Sequence, residues 1–140
     1  MFTIPDEARR KYPGLSIGIL SVRTDANRYL NDRLDSACST LEVELRERYC
    51  SMTRKELAGL PVMKGYVDYY RSFDKTYHLL LQVESVAFGK RPVPRVSPLV
   101  QAMFMAEMRN LFLTAGHDAR LLSGPPGLFL SGGEERYEAL

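Results

Sequence analysis

Apolar positions in this chain follow two patterns, one that alternates and one that recurs every three or four residues. Residues 15–22, LSIGILSV, alternate at their start and are rich in isoleucine, which predicts a strand. Gly18 inside that run predicts a bulge or a close backbone approach. A second short strand is predicted at Leu128, Phe129 and Leu130, after the turn Gly124-Pro125-Pro126-Gly127. The other periodic segments have helical spacing. A short turn of helix is expected over residues 6–12. A longer helix opens at Asp32 or Asp35 and runs to about Tyr49. Its buried stripe is Leu34, Ala37, Cys38, Leu41 and Leu45, and its wet face is Glu42, Glu44, Arg46, Glu47 and Arg48. Thr53-Arg54-Lys55-Glu56 has the form of a capping box, and Gly59 and Pro61 end the short helix that it starts. Residues 62–73 carry a cluster of tyrosines with Arg71, and residues 77–88 form a further helix. In the latter, Leu79, Leu80, Val83 and Ala87 keep helical spacing while Glu84 intrudes.

The segment over residues 97–118, SPLVQAMFMAEMRNLFLTAGHD, is the most apolar of these. Ser97 suits an N-cap and Pro98 the first helical position, where a missing N–H costs nothing. Gly116 is a plausible stop. Leu99, Val100, Met103, Phe104, Met105, Met108, Leu111, Phe112 and Leu113 spread around most of the helix, which predicts a buried helix at about 97–114. Gln101, Glu107, Arg109 and Asn110 interrupt it, so it is no membrane span. Met103, Glu107, Asn110 and Thr114 share one stripe. Such a stripe either caps a polar network or lines a pocket.

Length and charge narrow the picture. A chain of 140 residues fits one domain, and 45% hydrophobic with 26% charged residues suits a soluble globular chain. A net charge of +2 does not announce a nucleic-acid binder, so any such role must rest on local patches. The two cysteines, Cys38 and Cys50, form no CxxC, which argues for a reduced compartment and against a disulfide scaffold or a zinc site. Cys38 falls on the apolar side of its helix and reads as core. No charged-then-apolar leader opens the sequence, and a cytoplasmic protein is expected.

Candidate chemistry is sparse. There is no HExxH, GxSxG, P-loop or GxGxxG, and no cofactor or metal is expected. His117 and Asp118 are neighbours, but adjacent side chains point apart and are not by that fact an acid–base pair. The stiff loop over residues 89–95, GKRPVPR, carries Lys90, Arg91 and Arg95; it reads first as a solvated connector and is the best phosphate-contact candidate in the chain. Tyr66, Tyr69 and Tyr70 beside Arg71 either stack on bases or make core contacts with their hydroxyls at the rim.

A resemblance takes the reading further. Tyr70-Arg71 through Pro94, residues 99–118, and Gly132-Gly133-Glu134 together resemble the B3/B4 domain. This is the editing domain of the phenylalanyl-tRNA synthetase beta subunit, which also occurs as free-standing proteins. SIGILSVR is similar to the first strand of the free-standing members. Residues 99–118 are similar without a gap to the synthetase pattern LVD-x-TN…LHAFD, and more so to the free-standing branch, which has AMFMAE and TAGHD at these places. The resemblance implies a pocket that hydrolyses tyrosine wrongly attached to phenylalanine tRNA. The synthetase's pocket threonine, asparagine and histidine fall on Met103, Phe104 and Ala115, which have lost those hydrogen-bonding groups. A site that reads a tyrosine hydroxyl needs them. His117 stands at an aromatic position of the family and restores some polarity. The family continues past its GE with further strands, so the chain reads as the first part of a longer domain, or as a shortened one.

Taken together, the expectation is a single α+β domain over 1–140, a mixed sheet flanked by helices with the 97–114 helix central. The expected function is binding of tRNA or an aminoacyl-type ligand. The alternatives are a non-catalytic binding or scaffold protein whose ancestral pocket is filled, and an aminoacyl-ester hydrolase of changed specificity. Pocket candidates are Met103, Phe104, Glu107, Asn110, Ala115 and His117. RNA-contact candidates are Lys90, Arg91 and Arg95. The oligomeric state is left open.

Overall fold

The computed structural model describes residues 2–24, 32–134 and 136. Six helices lie among them: α1 (Asp6–Lys11), α2 (Asp32–Tyr49), α3 (Arg54–Ala58), α4 (Pro61–Arg71), α5 (His78–Ala87) and α6 (Pro98–Asn110). The chain divides into two units, residues 23–116 and residues 1–22 with 117–140.

The larger unit is helical, and α5 supplies the largest share of its interior. Leu79, Leu80, Val83, Val86 and Ala87 are all buried, half of the ten residues of α5. From α2, Cys38, Leu41, Leu45 and Tyr49 face the same core at spacings of three, four and four. Leu57 of α3, Met63 of α4 and Met108 of α6 complete it, with Tyr77, Val93 and Leu111. Each buried leucine or valine here is worth about 1.5–3 kcal/mol of transfer free energy before entropy is counted. The capping box forms as the sequence predicts. The Thr53 side chain accepts from the Glu56 N–H while Glu56 accepts from the Thr53 N–H, and Gly59 ends the helix.

The expected mixed sheet is absent among the described residues, so the α+β assignment is corrected to a helical one. Residues 15–22 have no regular secondary structure and enter no ladder, and apart from half-buried Leu15 their apolar side chains stand open, Leu20 at 85% exposure. Nothing approaches the position a Cβ would take at Gly18, so that glycine marks neither a close approach nor a bulge. Alternation encodes which side chains share a face. It says nothing about whether a partner strand supplies the hydrogen bonds.

The expected central helix is also revised. α6 ends at Asn110 because Leu111 adopts a left-handed backbone, φ 61°, and its N–H returns to the Glu107 carbonyl at 2.7 Å. Gly116 is not the stop. Pro98 does take the first turn, and Ser97 is the N-cap without a side-chain hydrogen bond. Within α6 only Gln101, Glu107 and Met108 are buried, while Leu99 and Val100 remain open. α6 is pinned to α2 by polar contacts. Arg109 pairs with Glu44 at 2.7 Å, and Gln101 donates to Asp35 at 3.0 Å.

The other unit contains α1, with Ala8 buried, and one parallel bridge between Thr3 and Gly127. The Leu128 N–H donates to the Thr3 carbonyl at 3.0 Å. The strand expected over Leu128, Phe129 and Leu130 does not form; the bridge falls on Gly127, just before it. Asp118 accepts from the guanidinium and backbone of Arg120, which hold its carboxyl down to about 2.

Candidate functional site

The polar stripe on α6 is consumed by the fold. Glu107 is 3% exposed, and its Oε1 accepts from the Thr114 N–H at 2.8 Å and the Thr114 hydroxyl at 2.6 Å. Thr114 shares the stripe in sequence but lies beyond the helix, and the chain folds back to bring it to Glu107. Asn110 is exposed and donates to the Ala106 carbonyl one turn earlier. Met103 and Phe104 are half-buried, and Phe104 packs on the core. The loop after α6 passes so close to Met103 that a Cβ on Gly116 would lie 3.1 Å from its sulfur. Ala115 is exposed, and His117 is exposed and belongs to the other unit. Five of the six pocket candidates thus belong to the larger unit, where Glu107 is committed to Thr114.

The loop over residues 89–95 is a strap docked on α2. Val93 is buried, and its N–H donates to Glu42 Oε1 at 3.0 Å. Glu42, read as part of a wet face, is buried for this reason and also pairs with Arg46 at 3.6 Å. Arg95 pairs with Asp35 at 3.5 Å and donates to the Ser39 hydroxyl at 3.0 Å. Lys90 pairs with Glu84 at 3.1 Å and lies over the Phe88 ring. Of the three cations, Arg91 alone has no ion-pair partner among the described residues.

The tyrosines split between the two readings. Tyr66 stacks on buried Tyr77, with centroids 4.7 Å apart and planes 8° from parallel, and Tyr70 lies 5.2 Å from the same ring. These are core contacts. Tyr69 is exposed and meets exposed Phe73 edge-on.

A basic groove of about 770 Å³, absent from the sequence-based candidates, lies in the same unit. Its cations are Arg54 and Lys55 of α3, Lys64 and Arg71 of α4, and Lys75 of the turn before α5. Two carboxylates, Asp68 and Asp74, also line it. Asp68 accepts from Lys64, which holds its carboxyl below the usual range, and Arg71 adds to this from 3.8 Å. Arg54 pairs with the half-buried Glu84 at 3.2 Å. Among the described residues neither Lys55 nor Lys75 has an ion-pair partner. The turn that carries Lys75 is shaped by Asp74 at φ 54°, a region Asp tolerates better than most residues. The Lys75 N–H is thereby returned to the Tyr70 carbonyl at 3.0 Å. Five cations within residues 54–75 were a visible signal, but their convergence depends on how three elements pack.

Among the described residues no group of three or more His, Cys, Asp or Glu side chains could hold a metal ion, and no helix is long and apolar enough to cross a membrane. Cys38 is buried and its thiol is pushed up by that burial, whereas Cys50 is exposed. Compared with protein-family models, curated proteins and solved structures, the chain finds no match in any of the three.

Proposed function

We propose that the chain is a B3/B4-type module that engages tRNA without hydrolysing an aminoacyl ester. The reading rests on the residues of the resemblance, not on the helical architecture. The observation that carries its non-hydrolytic half is Glu107: both hydrogen bonds that its buried Oε1 accepts come from Thr114. Met103 and Phe104 support the same half, because they fill the positions where the editing pocket has polar groups. A carboxylate committed to a loop is not poised to activate water, and apolar side chains cannot discriminate a tyrosine hydroxyl.

The test is incubation of the protein with phenylalanine tRNA carrying tyrosine. The expected result is tRNA binding with release of tyrosine no faster than the uncatalysed rate. Rapid protein-dependent release would overturn the non-hydrolytic reading, and failure to bind tRNA would overturn the module's proposed partner.

A further inference from the structure

We propose that the groove bounded by α3, α4 and the turn before α5 binds two neighbouring phosphate groups. The inference stands on the groove alone and does not depend on the tRNA reading. Three separate elements deliver Arg54, Lys55, Lys64, Arg71 and Lys75 to one concavity. Against these five cations stand the two lining carboxylates and Glu84, which holds Arg54, an excess of two positive charges. The whole chain has the same excess of two, so everything outside this set sums to zero. The net positive charge of the chain therefore resides at the groove.

That distribution selects the ligand. A backbone phosphate carries about one negative charge and a terminal phosphate about −1.5 to −2 at pH 7, so two neighbouring phosphates answer the local excess. A longer stretch of nucleic-acid backbone would need a longer run of cations. The groove volume of about 770 Å³ lies within the range of small-ligand sites, roughly 300–1,000 Å³. The one aromatic residue in its lining, Tyr77, is buried, so the groove offers phosphate contacts without a base-stacking surface. Part of the cradle is held in place beforehand. Lys64 and Arg71 sit four before and three after Asp68, which ties both to one face of α4, and Glu84 holds Arg54. Lys55 and Lys75 are the exposed cations that the fold leaves for a ligand.

The two phosphates belong either to a small diphosphate compound or to adjacent positions in an RNA chain, and one experiment separates these sources. Calorimetric titrations use inorganic pyrophosphate, inorganic phosphate, a nucleoside diphosphate and a short single-stranded RNA. They compare the full chain with a Lys55→Ala/Lys75→Ala variant at low salt, about 50 mM. Both lysines are exposed, so the variant should keep the parent's melting temperature. Pyrophosphate should bind the parent about tenfold or more tighter than phosphate, and the variant should lose about tenfold or more of that affinity. RNA that competes with pyrophosphate and also weakens in the variant assigns the phosphates to an RNA chain. RNA that does neither, with nucleoside diphosphate binding lost in the variant, assigns them to a small ligand and places any tRNA contact elsewhere. Pyrophosphate that binds no better than phosphate, or binds the folded variant as it binds the parent, overturns the proposal. A variant that melts well below the parent is replaced by Lys55→Gln/Lys75→Gln, and the same comparison decides.

Discussion

Tyr77 is a hydroxyl that the fold keeps neutral. It is 1% exposed, and it donates to the Leu111 carbonyl at 3.4 Å. Burial, with Tyr66, Tyr70 and Glu107 nearby, raises its pKa far above the ordinary value. In the unfolded chain the same group titrates at about 10. Below that pH both states hold the proton and the shift has no effect on stability. Above it the unfolded chain releases the proton while the folded chain keeps it, so stability falls as pH rises, by at most about 1.4 kcal/mol per unit from this one group. Denaturant unfolding followed from about pH 9 to about pH 11 should show this loss. Tyr77→Phe keeps the ring stack and should flatten the slope. An unchanged slope would assign the alkaline sensitivity to other groups. Glu107 gives a second test at this scale. Replacing it with Gln removes the charge from two hydrogen bonds and should lower stability by about 1–3 kcal/mol, read by thermal unfolding. A Glu107→Gln protein of full stability that has lost tRNA binding would instead make Glu107 a ligand contact.

At the scale of elements, the strap over residues 89–95 is where local charge misleads most. Three cations in seven residues read as a phosphate arm, yet Lys90 and Arg95 are spent on Glu84, Asp35 and Ser39. Neutralising Lys90, Arg91 and Arg95 together should therefore reduce the salt dependence of tRNA binding by about one phosphate contact, Arg91's share, and not by three. Salt titrations of parent and variant measure this, and a drop of about three would show that the ion pairs open on binding. Helices were legible where their signals are local. The Thr53–Glu56 box, the α2 end at Tyr49 and the α5 core positions all depend on residues a few places apart. What local spacing does not carry depends on distant partners. Glu42 looked solvated because its partner, the Val93 N–H, lies 51 residues away. The basic groove looked like ordinary helix charge because Lys55, Lys64 and Lys75 meet only once α3 and α4 pack. The Glu107–Asn110–Thr114 stripe breaks at Leu111, whose left-handed turn takes Thr114 off the helix and back to Glu107, and spacing alone does not separate such a satisfied contact from a cavity.

For the whole molecule, the feature with the widest consequence is the exposed segment over residues 15–22. Residues 15–22 carry a strand-forming sequence whose backbone joins no ladder among the described residues. Ile19, Leu20 and Val22 are 59%, 85% and 56% exposed. A run of this kind is a template: beyond Leu15, whose N–H donates to the Tyr12 carbonyl, its N–H groups can donate to a second strand and its C=O groups accept from one, and its side chains gain from being covered. No proline lies within the eight residues, and their single hydroxyl pair, Ser16 and Ser21, brings no charge to oppose stacking. The protein should therefore associate with itself as its concentration rises, with growth of β-type circular dichroism that the helical unit does not supply. Light scattering across a dilution series reads the association. Leu20→Lys should suppress it, because a charge on a free strand repels its copy while the exposed position costs the fold little. Scattering that stays flat across the dilution series would mean that the flanking charges, Lys11 and Arg23, already serve as gatekeepers, keeping a sticky sequence dispersed during the interval before anything pairs with it.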